Sequence, residues 1–395
     1  MYLERIFKDL MERPQFLELI RRYFRNHSVV AIVGPRQCGK TTLARMYCKE
    51  QLGFTKENYF DLEKSQDIER LENPMLALKP LKQLIVIDEI QRTKDLFPII
   101  RVLVDKPENT QKYLVLGSAS TELLRQSSES LAGRIAYLEL TPFSLQEVDH
   151  QNRLWLRGGF PKSYLAETDQ DSSDWREFYI RTFLEQDIPN LGIKILPASL
   201  RRFWRMLAHF HGNIFNASEI GRSFGSSDAL MRTYLDVLSG ALMIRQLQPW
   251  HENIGKRQVK SPKIYFRDSG IFHSLLGTHT ISELHNHPKV GASWEGFALE
   301  EVIRAHSAAH HECYFWSTYS GAEVELLLYQ NGMLTGFEFK YQDAPKLSKS
   351  MSIALHDLPL KHLYVIYPGD LDYPLSERVT VLGLQNIRKK FRIGT

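Results

Sequence analysis

Gly34-Pro35-Arg36-Gln37-Cys38-Gly39-Lys40-Thr41 sets two glycines, with four residues between them, directly before a lysine and a hydroxyl residue. This is the pattern of a phosphate-binding loop. The glycines let the backbone turn so that several N–H groups face one anion. A helix starting at Lys40 adds the positive end of its dipole. Lys40 would reach the β- and γ-phosphates of ATP, and the Thr41 hydroxyl would ligate Mg²⁺. The nucleotide-binding set is Gly34, Pro35, Arg36, Gln37, Cys38, Gly39, Lys40, Thr41 and Thr42. Cys38 reads as loop filler whose thiol, close to cationic Lys40, could be unusually reactive.

A second stretch supplies acids. The apolar run Leu84-Ile85-Val86-Ile87 ends in Asp88-Glu89. Asp88 would hold Mg²⁺ through water, and Glu89 would polarise the water that attacks the γ-phosphate. The same acids could cap a helix beginning at Ile90; the phosphate loop upstream favours the catalytic reading. Ser118, just after the run Tyr113-Leu114-Val115-Leu116, could orient the attacking water or cap a helix at Thr121. Arg134 could reach a γ-phosphate in its own subunit or a neighbour's, or be a plain surface arginine.

These residues need a scaffold that gathers them at one edge. From 28 to about 150 short apolar strands alternate with helical stretches: strands at 28–33, near 57–61, 84–88, 113–117 and 135–140, helices over Thr41–Gln51, Ser65–Leu71, Leu96–Asp105 and Thr121–Gln126. Such alternation implies an α/β fold with a parallel sheet covered on both faces, ligands binding at the carboxyl ends of its strands. Met1–His27 reads as helical, broken at Pro14.

The 395 residues suit two to four domains, and 43% apolar with 24% charged residues is ordinary globular composition. A net charge of +4 permits a polyanionic partner without requiring one. Cys38, Cys48 and Cys313 have no paired spacing, so neither a disulfide framework nor a zinc site is expected. His285 with His287, and His306 with His310, lack the further ligands of a metal set. Without a signal peptide or an apolar run approaching a membrane span, the expectation is a cytoplasmic protein with no membrane partner.

Gly34–Thr41, Asp88-Glu89, Gly117-Ser118, Gly133-Arg134 and Leu140-Thr141-Pro142-Phe143-Ser144-Leu145-Gln146-Glu147 together resemble an AAA-type ATPase family of bacteria and archaea whose members carry a C-terminal domain of unknown function. Gly158-Gly159-Phe160-Pro161, Thr182–Ile188, Lys263–Gly270 and Glu338-Phe339-Lys340 extend the resemblance over nearly the whole chain.

Past residue 150 the chain reads as helices to about 245. Ser218–Ile220, a turn at Phe224–Ser227 and a helix over Asp228–Ser239 with Leu230, Tyr234, Leu235 and Leu238 on one face have helix-turn-helix rhythm. Leu242–Leu247 and Lys263–Phe266 would be wing strands, and the resemblance implies a winged-helix domain. The helix has only Arg232 as a base, against Asp228 and Asp236, which disfavours base readout. Arg201, Arg202, Arg205, Arg232, Lys256, Arg257, Lys260 and Lys263 could instead contact phosphates without regard to sequence, or form a solvated face.

In the last part, Trp294–Ile303 reads as an amphipathic helix, followed by strands Cys313–Trp316, Glu323–Tyr329 and Leu334–Lys340. Glu295, Glu325, Glu338 and Lys340 then look like the site of the restriction-endonuclease-like fold, whose active members hold Mg²⁺ on acids and position a water with the lysine. Glu325 stands where an Asp is usual, displacing the carboxylate by a methylene, so a fold kept for packing or nucleic-acid binding stands beside cleavage. The tail Arg388–Arg392 reads as solvated.

The expectation is three domains, 1–150, 151–285 and 286–395. Its function would be Mg²⁺-dependent ATP hydrolysis acting on duplex or branched DNA, as a homo-oligomer such as a hexameric ring. Two alternatives stand beside it: a slow nucleotide-gated switch whose last domain binds a protein, and an ATP-driven, metal-dependent nuclease.

Overall fold

The computed structural model describes residues 11–93, 95–118, 127, 129–190, 192–250 and 261–391. The chain divides into two compact units, one reaching to Pro142 and including Gly240–Leu242, the other made of Phe143–Ser239 and Met243 onward.

The first unit is built on five strands: β1 (Val29–Gly34), β2 (Tyr59–Asp61), β3 (Leu84–Asp88), β4 (Lys112–Ser118) and β5 (Ile135–Glu139). All pairings are parallel and the order is β2-β3-β4-β1-β5. Every residue of β1 and β3 is buried, because helices cover both faces. Val30 and Ile32 pack with helices α1 (Pro14–Asn26) and α2 (Lys40–Lys49). Val29, Ala31 and Val33, on the other side of the pleat, pack with helix α3 (Leu96–Val104). Pro14 does not interrupt α1. It is the first helical residue, where its missing N–H costs nothing. The helix expected over Thr121–Gln126 lies outside the described residues.

The second unit begins with helices α4 (Gln151–Arg157), α5 (Asp169–Thr182), α6 (Pro197–His209), α7 (Ala217–Phe224) and α8 (Asp228–Gly240). Asn216 caps α7 and Gly225, at φ 74°, ends it. The buried residues of α8 are Met231, Tyr234, Leu235 and Leu238. Met231 therefore replaces the expected Leu230, because one residue turns a helix face by about 100°.

An eight-stranded sheet follows. Its strands are β6 (Ile244–Pro249), β7 (Lys263–Phe266), β8 (Cys313–Ser317), β9 (Glu323–Gln330), β10 (Met333–Phe339), β11 (Leu360–Tyr367), β12 (Tyr373–Ser376) and β13 (Val379–Gly383). The order is β12-β13-β11-β10-β9-β8-β6-β7. The two expected wing strands do pair antiparallel, but Gln248 and Pro249 also join β8. They extend the C-terminal sheet, and every residue of β7 is buried. Helix α9 (Ser269–Leu276), the long helix α10 (Val290–Ala305) and helix α11 (Lys349–Asp357) also belong to the unit. Among the described residues no helix is long and apolar enough to cross a membrane.

Candidate active site

β1 ends at Gly34 and α2 begins at Lys40, so the loop between them sits at the carboxyl edge of the sheet. Gln37 and Gly39 take positive φ, 61° and 101°. Gly34 must lack a side chain, since a Cβ there would lie 2.4 Å from the Leu140 carbonyl oxygen. Lys40 is 5% exposed, and its Nζ donates to the Gly34 and Pro35 carbonyls at 3.0 Å each. Thr42 lies in the first turn of α2.

β3 delivers Asp88 to the same edge. The Thr41 hydroxyl donates to Asp88 Oδ2 at 2.9 Å, and the Tyr59 hydroxyl donates to the same oxygen at 2.8 Å. Asp88 Oδ1 is buried with no hydrogen-bond partner among the described residues. Burial pushes the Asp88 carboxyl above its ordinary range, against the two hydroxyl donors. Glu89 sits at φ 58°, accepts from Gln91 Nε2, and is likewise pushed up by burial, partly offset by Lys40. Ser118 pairs in register with Gly34, which puts it beside the loop at the same edge.

These residues fit a Mg²⁺–nucleotide. Asp88 Oδ1 is a buried acceptor awaiting a donor or cation, Thr41 is already drawn against that acid, and the side-chain-free Gly34 leaves the loop close to the sheet edge.

Two contributors escaped the sequence reading. Tyr59, at the start of β2, anchors Asp88. Arg13, just before α1, is 4% exposed; its Nη1 donates to the Cys38 carbonyl at 3.2 Å and its Nη2 to the Thr141 carbonyl at 2.9 Å.

Two expectations are corrected. Cys38 is fully buried, and that burial raises its thiol more than Lys40 lowers it, so the reactive-thiol reading fails. Arg134 immediately precedes β5, and its carbonyl accepts from the Val29 amide at the amino edge of the sheet. That is the edge away from its own phosphate loop, and its guanidinium is paired with Asp105, Nη2 to Oδ2 at 2.9 Å. Arg134 cannot serve its own subunit's γ-phosphate from there.

In the second unit β10, β9 and α10 gather the four expected residues. Lys340 Nζ lies 2.9 Å from Glu325 Oε1 and 2.8 Å from Glu338 Oε2. Glu325 Oε2 accepts from the Phe339 amide at 2.6 Å. Glu295 accepts from the Tyr265 hydroxyl at 2.6 Å. Burial, reinforced by the Glu325 charge, holds Glu338 well above the usual range and pushes Glu295 up to about 7. Glu325 and Glu338 in turn raise Lys340, overcoming its burial. Among the described residues no three His, Cys, Asp or Glu side chains are placed to hold a metal ion.

The expected phosphate contacts scatter. Lys263 is buried on β7, paired with Glu323 and 5.6 Å from the Phe315 ring centre, so it is not a surface contact. Arg201 pairs with Glu177 at 2.8 Å. Arg202 lies over the Phe224 ring and donates to the Ser223 carbonyl. Arg205 and Arg232 are exposed. Lys256, Arg257 and Lys260 lie outside the described residues.

Comparison with known proteins bears on both units. The family model described as "AAA domain" matches residues 26–149; two described as domains of unknown function, DUF8612 and DUF4143, match 148–282 and 290–387. The uncharacterized proteins Rv2008c of Mycobacterium tuberculosis and Mb2031c of Mycobacterium bovis are each 46% identical over 380 residues, covering 96% of this chain and 85% of theirs. The chain belongs to the AAA-type P-loop ATPases with a C-terminal DUF4143 domain. Membership of an AAA ATPase family supports nucleotide hydrolysis in general. Among solved structures, a Walker-type ATPase of Pyrococcus abyssi is 15% identical with a TM-score of 0.48, over 68% of this chain and 97% of that one. RuvB of Thermotoga maritima is 17% identical with a TM-score of 0.29, over 58% and 85%.

Proposed function

We propose that this AAA ATPase hydrolyses ATP by Mg²⁺-dependent attack of water on the γ-phosphate. The observation that carries the reading is the Thr41–Asp88 hydrogen bond beside Lys40, with Asp88 Oδ1 buried and unpartnered. The loop amides from Gly34 to Thr42 cradle the phosphates, and Lys40 leaves two neutral carbonyls to meet them. Thr41 and Asp88 would hold Mg²⁺, which would supply charge neutralisation on the phosphates. Glu89 accepts the proton of the attacking water, and Ser118 orients that water. Glu89→Gln should bind ATP and hardly turn it over; near-wild-type hydrolysis would sink the assignment.

The work done with this hydrolysis is remodelling of nucleic acid, duplex or branched DNA, by a homo-oligomer such as a hexameric ring. Support comes from exposed Arg205 and Arg232 on α6 and α8. Arg134, facing away from its own loop, suits completion of a neighbour's site instead. ATPase rates measured with duplex, single-stranded and branched DNA at low salt test this, and rates indifferent to all of them would overturn it. The burial of Lys263 and the pairing of Arg201 favour a second reading, a slow nucleotide-gated switch whose last domain binds a protein. ATP-dependent assembly by light scattering, with no effect of nucleic acid, separates it from the first. A restriction-endonuclease-like site at Glu295, Glu325, Glu338 and Lys340 is the third. It requires cleavage with Mg²⁺ or Mn²⁺ that Lys340→Ala abolishes.

A further inference from the structure

We propose that Arg13 is a positioning residue of the phosphate loop: its guanidinium clamps the loop backbone so that the Gly39 amide is held toward bound phosphate. The proposal rests on the nucleotide-site reading above and adds a residue that no motif contains.

The argument starts from the planar peptide. In a trans peptide the carbonyl of one residue and the N–H of the next point in opposite directions. The Cys38 carbonyl is held by Arg13 Nη1 at 3.2 Å, so the Gly39 N–H is turned away from Arg13. Gly39 is the residue that most needs such a constraint. Its φ is 101°, a Cβ there would meet nothing within 4 Å, and it directly precedes Lys40, so little but its flanking peptides sets its conformation.

The clamp has a fixed base. Arg13 Nη2 donates to the Thr141 carbonyl at 2.9 Å, and the Leu140 amide before it is bonded to the Val33 carbonyl at the end of β1. Arg13 thus ties the loop to the strand end beside it. Its own backbone is anchored by α1, whose Phe16 and Leu17 amides donate to the Arg13 carbonyl. The guanidinium lies 4.5 Å from the Phe16 ring centre, and Phe16 packs in the same core cluster as Cys38 and Leu43. A charged group that is 4% exposed and sets two donors on carbonyls at the phosphate loop holds geometry. The planar guanidinium places two separate nitrogens on the two carbonyls in a fixed geometry, which the single nitrogen of an ammonium does not reproduce.

The test measures ADP and ATP affinity by calorimetry, without and with Mg²⁺, in the full chain carrying Arg13→Ala, Arg13→Gln or Arg13→Lys. Hydrogen exchange at the Gly39 amide in the free protein is measured alongside. Loss of one charge-assisted bond predicts affinity weakened about 10-fold or more, since such bonds contribute about 1.5–3 kcal/mol. KM for ATP should rise more than kcat falls, because the clamp shapes binding rather than the chemical step. Gly39 exchange should speed up, and added guanidinium ion should restore affinity to Arg13→Ala but not to Lys40→Ala. Arg13→Lys covers the case in which Arg13→Ala does not fold. A folded Arg13→Lys or Arg13→Gln with wild-type affinity and unchanged Gly39 exchange overturns the proposal, as does a lowered melting temperature with affinity intact. A wild-type chain that binds no nucleotide overturns the nucleotide-site reading as well, which separates the two failures.

Discussion

The two units each bring a lysine together with acids, and they use it in opposite ways. In the first, Lys40 rests on two neutral carbonyls while Asp88 keeps a buried oxygen without a partner. In the second, Lys340 is held between Glu325 and Glu338, and both carboxylates spend an oxygen on it. A lysine on neutral carbonyls gives up little when an anion arrives. A lysine between two acids cannot leave without exposing them to each other. The first arrangement is open to a ligand; the second already supplies its own cation. Each cluster also keeps one buried carboxylate oxygen without a partner among the described residues, Asp88 Oδ1 and Glu338 Oε1, so the difference between them lies in what the lysine touches.

Removing each lysine should sharpen that contrast. Lys40→Ala should lower ATP turnover by at least about 10²-fold, the scale of losing one fixed charge at a developing anion, and leave folding nearly intact. Lys340→Ala should do the reverse. Breaking a buried ion pair costs about 3–5 kcal/mol, and the 29% exposure of this ammonium puts the effect at the lower end, about 3 kcal/mol. All six tryptophans belong to the second unit, so their fluorescence in a denaturant titration of the full chain reads its stability. Adding Glu338→Gln to Lys340→Ala should recover part of the loss, because the group facing Glu325 can then no longer ionise. A stable Lys340→Ala chain, or an unstable Lys40→Ala chain, would break the comparison.

Within the first unit the anchoring of Asp88 is testable separately. Tyr59→Phe removes one of two hydroxyls on Asp88 Oδ2 and leaves the packing of the ring. Outer-shell partners of this kind are worth about 10- to 100-fold in metal affinity, so the Mg²⁺ concentration for half-maximal ATPase should rise about 10-fold. Mn²⁺ binding to the ADP complex, followed by electron paramagnetic resonance, should weaken in parallel. An unchanged metal requirement would reduce Tyr59 to a packing residue.

Which of these features could be read in advance depended on chain separation. The phosphate loop and the acids after β3 were legible, because their chemistry is packed into eight and two consecutive residues and the apolar strands before them set the edge. Arg13 and Tyr59 were not. Their partners lie 25 and 29 residues away, and an arginine before a helix or a tyrosine on a strand looks like any other. Lys263 misled for a related reason. A lysine starting a short strand reads as surface, but β7 is covered and Glu323, 60 residues on, meets the charge. Strands β11, β12 and β13 lay beyond the expectation, although Leu363-Tyr364-Val365-Ile366-Tyr367 and Val379-Thr380-Val381-Leu382 have strand composition; their place, with β11 parallel to both β10 and β13, comes from pairing.

The smallest effect expected is a change in the pH profile of the second unit, and its sign follows from the buried groups. Burial pushes Glu301 up to about 7 even though Arg304 is 2.8 Å away and the Leu145 amide donates to it at 2.7 Å. Glu295 is raised to about 7 as well. A folded carboxyl above its ordinary value of 4.5 contributes stability that is fully present below that value and is lost as pH rises through about 7. His211 and His273 act from the other side. Both are buried and held down to about 3, and the ring of His273 is fixed between the Leu156 carbonyl and Ser293. Their contribution is present above the ordinary 6.5 and is lost as pH falls toward 3. The two pairs offset each other between the ordinary values 4.5 and 6.5, so the tryptophan-monitored stability should be highest in that mildly acid window and decline on both sides. Glu301→Gln keeps an acceptor for the Leu145 amide but cannot ionise, so it should flatten the alkaline limb and leave the acid limb in place. The first unit, read by nucleotide binding, should not share the alkaline decline, since the roles proposed for Asp88 and Glu89 call for their charged forms. An alkaline limb that persists in Glu301→Gln at full slope would assign it to Glu295 or to another group, and a flat profile in the wild type would remove this distinction between the units.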